Sequence, residues 1–85
     1  MRPITIYTTP ICGYCARAKA LLKAKGAAYE EIDVFMDSAA RTEMEKKCGG
    51  RITVPQIFIG DVHVGGSDEL SALDREGKLD ALLQG

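Results

Sequence analysis

The chain has 85 residues, 46% of them hydrophobic and 27% charged, with a formal net charge of −1. That length suits one modest core, so residues 1–85 are expected to form a single domain. A charge this close to neutral offers no basic field for nucleic acid or anionic lipid, and no apolar run is long enough to span a bilayer.

No apolar h-region precedes the first strand-like segment, so no secretory signal is expected. There are three cysteines, an odd number, and only two of them are close together. A secreted disulfide scaffold normally carries a denser and even set. A reducing, cytoplasmic setting fits better, with any disulfide made and broken as chemistry.

Ile4-Thr5-Ile6-Tyr7-Thr8 alternates and is rich in β-branched and aromatic residues, which predicts a strand. Thr9-Pro10-Ile11 breaks it. Helix formers then run over 14–25, with Cys15, Ala18, Leu21, Leu22 and the Lys25 stem on one face and Gly26 at the C′ position. A second strand is expected over 28–35, where Ile32 and Val34 alternate with Tyr29, Glu31 and Asp33. Asp37 can cap a second helix with the stripe Ala40, Met44, Cys48, closed by Gly49-Gly50.

Val54 precedes a proline and is pushed into an extended conformation. Gln56-Ile57-Phe58-Ile59 predicts a third strand, Gly60-Asp61 a tight turn, and Val62-His63-Val64 a fourth strand, so a hairpin. Ser67 is expected to cap a third helix with Asp68 and Glu69 in its first turn and Leu70 and Leu73 inward, ended by Gly77. Leu79, Leu82 and Leu83 suggest a last helical turn on the core. The order βαβ, α, β-hairpin, α predicts an α/β fold: a four-stranded mixed sheet flanked by helices on both faces, with a parallel pair in the βαβ unit.

The chemistry-bearing segment is Cys12-Gly13-Tyr14-Cys15. Cys12 falls where the loop after the first strand becomes a helix. The free amides and the macrodipole at such a position stabilise a thiolate, the nucleophile of disulfide exchange. Arg17 and Lys19 add positive charge in the next turn. Cys15 lies one turn deeper, where its sulfur can reach that of Cys12 but is more buried. Cys12 is therefore the expected attacking thiol and Cys15 the resolving thiol. A zinc half-site is the competing reading, but the other candidate ligands, Cys48 and His63, stand alone and far apart. Two structural cysteines on a buried helix is another, and the strand–loop–Cys context argues against it.

Taken together, these segments resemble the glutaredoxin family, of the small bacterial dithiol type. Ile6-Tyr7-Thr8 with Cys12-Gly13-Tyr14-Cys15 and Arg17-Ala18-Lys19-Ala20-Leu21-Leu22 resembles the family's first βα unit. Thr53-Val54-Pro55-Gln56-Ile57-Phe58-Ile59 resembles its TVP loop and third strand, and Gly65-Gly66-Ser67-Asp68-Glu69-Leu70 its second glutathione-binding turn. The resemblance implies a thioredoxin-like fold with Pro55 in the cis form, and glutathione or a glutathionylated protein as substrate. It implies that the extended Val54 backbone, beside Thr53 and Pro55, pairs with the glutathione main chain as an added strand does. Gly66 would permit close backbone approach. The amides of Ser67 and Asp68 would hold the γ-glutamyl carboxylate, and the Asp68 carboxylate its ammonium. Arg51 would hold the glycyl carboxylate, and Tyr14 would wall the sulfur.

Two departures stand out. Most dithiol members carry proline after the first cysteine, where this chain has Gly13. Some members without that proline hold a [2Fe–2S] cluster between two monomers, with glutathione completing the ligands, and thiolate ligation suits Cys12. An iron–sulfur dimer is thus the alternative to a monomeric oxidoreductase acting on disulfide-bearing or glutathionylated proteins. Thioredoxin-type reduction is less favoured, because the chain has no Trp. Cys48 reads as a small core hydrophobe. His63 is expected to face solvent with nothing to orient it, and the charges over 41–47 to form a solvated helix face.

The second departure is Thr9, where many members place a lysine beside the active site. Without that cation, glutathione affinity should be weaker. Thr9→Lys should lower the KM for a glutathionylated substrate by about two- to fivefold, the worth of one exposed charge pair; an unchanged KM in steady-state assays refutes this.

Overall fold

The computed structural model describes residues Met1–Gly85. Eight elements follow one another: β1 (Ile4–Thr8), α1 (Gly13–Ala24), β2 (Glu30–Asp33), α2 (Ser38–Lys47), β3 (Gln56–Ile59), β4 (Val62–Gly65), α3 (Ser67–Arg75) and α4 (Leu79–Gln84). The strands form one mixed sheet in the order β2-β1-β3-β4. β1 pairs with β2 in parallel, and β3 is antiparallel to both β1 and β4. This is the four-stranded mixed α/β sheet expected from the element order, and the thioredoxin-like fold that the family resemblance implies.

The alternation in β1 and β3 sorts side chains onto two faces. Ile4, Ile6, Ile57 and Ile59 join Ala18 and Leu22 of α1, Leu70 of α3, and Leu79 and Leu83 of α4 in the larger core. Tyr7 points the other way and packs with Val34, Met44 and Cys48, with Ala40, Val54 and Phe58 partly buried beside them. The Ala40–Met44–Cys48 stripe thus docks α2 on the second face, and Cys48 is a buried free thiol that burial pushes upward in pKa. No buried side-chain nitrogen or oxygen lacks a hydrogen-bond partner.

The ends of the elements follow their local chemistry. Gly26 takes φ 68° just past α1, and Gly49 and Gly50 take φ 68° and 95° past α2. The Asp37 carboxylate accepts from Ala40 N–H at 3.0 Å and caps α2. Gly60, at φ 58°, makes the turn between β3 and β4. Val54–Pro55 is a cis peptide bond.

Two boundaries differ from the sequence reading. β2 covers four residues rather than the whole of 28–35. It is an edge strand, and the chain leaves it where Phe35 N–H donates to the Asp33 carboxylate at 2.8 Å, an Asx turn that ends the ladder. The cap of α3 is Gly66, not Ser67, which is already helical and buried. The Glu69 carboxylate turns back to accept Gly66 N–H at 2.7 Å, so the third residue of the helix does the capping and frees the cap position of any side-chain demand. No helix is long and apolar enough to cross a membrane.

Leu70 is fully buried where α3 meets the sheet. Leu70→Ala should lower stability by about 2–5 kcal/mol through lost burial and a residual cavity, as read by urea denaturation.

Candidate active site

The β1–α1 connection places Cys12 at the cap position of α1, with extended φ −149° and ψ 110°. Its sulfur does what a capping oxygen does elsewhere: Cys15 N–H donates to Cys12 Sγ at 3.2 Å. The sulfur is half-buried and lies 4.0 Å from the Val54 carbonyl oxygen. Cys15, one turn on, points into the core and is 1% exposed. Burial first, and then the hydrogen bond to the Cys12 sulfur, push the Cys15 thiol up to about 12. Both sulfurs are free thiols. One sulfur is therefore presented to solvent beside amide donors, and the other is held protonated behind it.

Arg17 and Lys19 stand in the next turn of α1, as expected, and each has a local partner. Lys19 turns away to pair with Glu31 at 3.0 Å, and that same Glu31 oxygen accepts from Thr8 Oγ1 at 2.7 Å. These two donors, Thr8 first, hold the Glu31 carboxyl below its ordinary range. The Arg17 guanidinium sits over the Tyr14 ring, 5.7 Å from its centroid. Lys19 is thus anchored to Glu31, from where its charge still acts on Cys15.

A shallow groove of about 140 Å³ opens beside the cysteines. Tyr14, from α1, stands at one end. Thr53, Val54 and Pro55, from the loop before β3, form one wall, and Arg51 the rim. Gly66, Ser67 and Asp68, at the start of α3, close the far end, with Glu69 beside them. Three separate segments meet here because the β3–β4 hairpin returns both of its ends to the end of the sheet where β1 leads into α1. The first-turn amides of Ser67 and Asp68 have no intrahelical partner, and both residues line the groove.

Sequence reasoning missed two residues. Glu69 caps α3 and also pairs with Arg51, its Oε1 lying 3.4 Å from Arg51 Nη2. The Gly66 amide, and then Arg51, hold the Glu69 carboxyl below its usual range. A Glu three residues after a cap position was the available signal. The other is Gly65. Gly66 has ordinary extended backbone with room for a Cβ, whereas Gly65 takes φ 111° and a Cβ there would run into the Glu69 carboxylate. The glycine that the fold requires at this turn is Gly65.

A second hollow of about 180 Å³, sharing no residue with the groove, is lined by Thr9, Pro10, Ile11 and Phe35. Ile11 is fully exposed next to Cys12. The largest cavity, about 290 Å³, lies between Tyr7, Phe58 and Lys47 and contains no cysteine. No group of three or more His, Cys, Asp or Glu side chains gathers anywhere in the chain.

The glutaredoxin family model matches residues 4–64. A curated glutaredoxin of Pseudomonas aeruginosa is 54% identical over 83 residues, spanning 98% of each chain. The solution structure of glutaredoxin from Brucella melitensis is 59% identical with a TM-score of 0.84, covering 98% of this chain and 89% of that one. A buckwheat glutaredoxin–glutathione complex, 34% identical, superposes with a TM-score of 0.87 over 98% of this chain and 77% of that one. The holo form of a poplar glutaredoxin C1, 33% identical, gives 0.85 over 98% and 77%. The thiol pair at the head of α1 thus sits in a scaffold shared along nearly its whole length with these proteins, and the chain belongs to the glutaredoxin family of thiol oxidoreductases.

Proposed function

We propose that the chain is a glutathione-dependent thiol–disulfide oxidoreductase, with Cys12 as nucleophile and Cys15 as resolving thiol. The observation that carries this reading is the groove that begins at Tyr14 and Val54, beside the Cys12 sulfur, and ends at the free amides of α3. It offers an extended backbone edge, a cation at Arg51 and a helix N-terminus, the features that suit a short peptide with carboxylates at both ends. The glutathione complex of the buckwheat relative supports the same ligand.

In the glutathione route, the Cys12 thiolate attacks the glutathione sulfur of a mixed disulfide. That S–S bond breaks, the protein thiolate leaves with the electron pair, and Cys12 carries the glutathionyl group. A second glutathione thiolate attacks that group, releasing glutathione disulfide and restoring Cys12. In the dithiol route, Cys12 forms the mixed disulfide with a protein sulfur instead. Cys15 then gives up its proton, attacks the Cys12 sulfur and expels the reduced protein, leaving a Cys12–Cys15 disulfide that two glutathiones reduce. Two of the influences that keep Cys15 protonated come from Cys12 itself, its hydrogen bond and its charge. Both weaken when the Cys12 sulfur is tied up in a mixed disulfide, so the resolving thiol becomes easier to ionise at the stage that uses it. The exposed Ile11 and Phe35 beside Cys12 supply an apolar footing for a protein substrate. Residues 1–85 would act as one domain and as a monomer, in a reducing compartment that keeps Cys48 a thiol.

Cys12→Ser should bring both activities to background, while Cys15→Ser should keep deglutathionylation and lose reduction of protein disulfides. Glutathione-coupled turnover of a glutathionylated peptide and of a disulfide-bonded protein reads the two separately. Loss of both in Cys15→Ser overturns the division of labour.

A [2Fe–2S] dimer is the second reading, favoured by the holo form of the poplar relative and by Gly13, which stands in place of a proline and has open space where a side chain would be. One chain offers one accessible thiolate, Cys12, since Cys15 is buried and no other donors gather near it. A cluster would therefore need Cys12 from two chains and two outside thiols, as glutathione can provide. Anaerobic reconstitution with iron, sulfide and glutathione should then yield visible absorbance and a dimer on gel filtration; a colourless monomer refutes it.

A further inference from the structure

We propose that Gln56 and His63 are positioning residues for the groove: a buried amide relay that fixes Thr53 and, through it, the backbone of Val54. This rests on the glutathione reading and names what holds that site in shape.

Gln56 opens β3 directly after cis Pro55 and is 0% exposed. Its Nε2 donates to the Thr53 carbonyl at 2.9 Å and meets Thr53 Oγ1 at 3.1 Å. Its Oε1 lies 2.7 Å from His63 Nε2. The carbonyl of Thr53 can only accept, so the amide must direct its NH2 to Thr53 and its oxygen to His63. His63 Nε2 must then carry the hydrogen. Every strong contact of this buried amide is used, and the amide has one orientation that satisfies them.

The far end of the relay is itself anchored. The His63 ring stacks on Phe58, its partner across the β3–β4 hairpin, with centroids 4.8 Å apart and planes 22° apart. Phe58 in turn meets Tyr7 edge-on at 5.9 Å. A register shift between Ile57 and Phe58 marks the same stretch of the hairpin. His63 is thus neither solvent-facing nor unoriented, as the sequence suggests; it is half-buried and linked to the core. At the near end, Thr53 is exposed and its loop has no strand pairing of its own, so Gln56 supplies the fixed point. That loop carries the Val54 carbonyl facing Cys12 and the backbone edge expected to receive glutathione. The relay therefore acts on binding geometry, not on the chemistry of the sulfurs.

Gln56→Met keeps the volume and removes both ends of the relay; His63→Phe keeps the stack and removes the donor. The KM for a glutathionylated peptide should rise about tenfold in Gln56→Met, the size expected for a lost buried hydrogen-bonded contact, with kcat little changed. His63→Phe should raise it less, and the double variant should be no worse than Gln56→Met alone, because His63 acts through Gln56. Hydrogen exchange of the Gln56 side-chain amide, followed by NMR without substrate, should be slow in the parent chain and faster in His63→Phe. An unchanged KM in Gln56→Met, additive effects of the two substitutions, or equal amide exchange in parent and His63→Phe would each overturn the proposal. If the parent chain does not turn over the peptide, the glutathione reading fails, while amide exchange still decides whether the relay exists.

Discussion

The hydrogen bond from Cys15 N–H to the Cys12 sulfur organises this molecule. It starts α1, it aims the first helical donors at one sulfur, and by setting the pitch of that turn it sends the other sulfur inward. The two thiols are three residues apart but live in different media. Cys12 borders solvent and the groove; Cys15 is enclosed between α1 and the sheet. Burial and the neighbouring sulfur raise Cys15 far above an ordinary thiol, a difference that fits the proposed division of labour between two identical side chains.

That geometry depends on β1 being the inner partner of two strands. Parallel pairing with β2 and antiparallel pairing with β3 clamp the strand that delivers Cys12. The β3–β4 hairpin then brings the Thr53–Pro55 loop and the start of α3 to the same end of the sheet. Charges around the site are mostly satisfied within it. Glu69 serves the Gly66 amide and Arg51 together, and Lys19 is drawn to Glu31. Such exposed pairs add little stability, typically under about 1 kcal/mol. The Arg51–Glu69 pair holds its side chains in place beside the groove, and Lys19–Glu31 ties α1 to β2.

Much of this was legible in the residues. The period-two patterns of β1 and β3 and the Ala40–Met44–Cys48 stripe were strong, and each fell on the face expected of it. Weak places were those where a specific side-chain contact, rather than periodicity, decides the outcome. The edge strand β2 stops early because only one neighbour holds it. Ser67 yields the cap of α3 to Gly66 because Glu69 can reach back. His63 looked solvent-facing from alternation alone; the expected hairpin puts it opposite β3, but alternation does not say that Gln56 and Phe58 will bond and stack with it.

The sequence by itself determined the element order, the sorting of side chains onto two sheet faces, and the position of Cys12 ahead of a helix. Those follow from local periodicity and from the spacing of two thiols by one helical turn. Only the tertiary structure decided which glycine must be a glycine, which partners the α1 cations find, and that three separate segments share one groove. Such contacts are set by strand pairing and packing, and the periodicity of a strand does not encode which side chain a buried amide such as Gln56 will meet, even when that partner is only seven residues away.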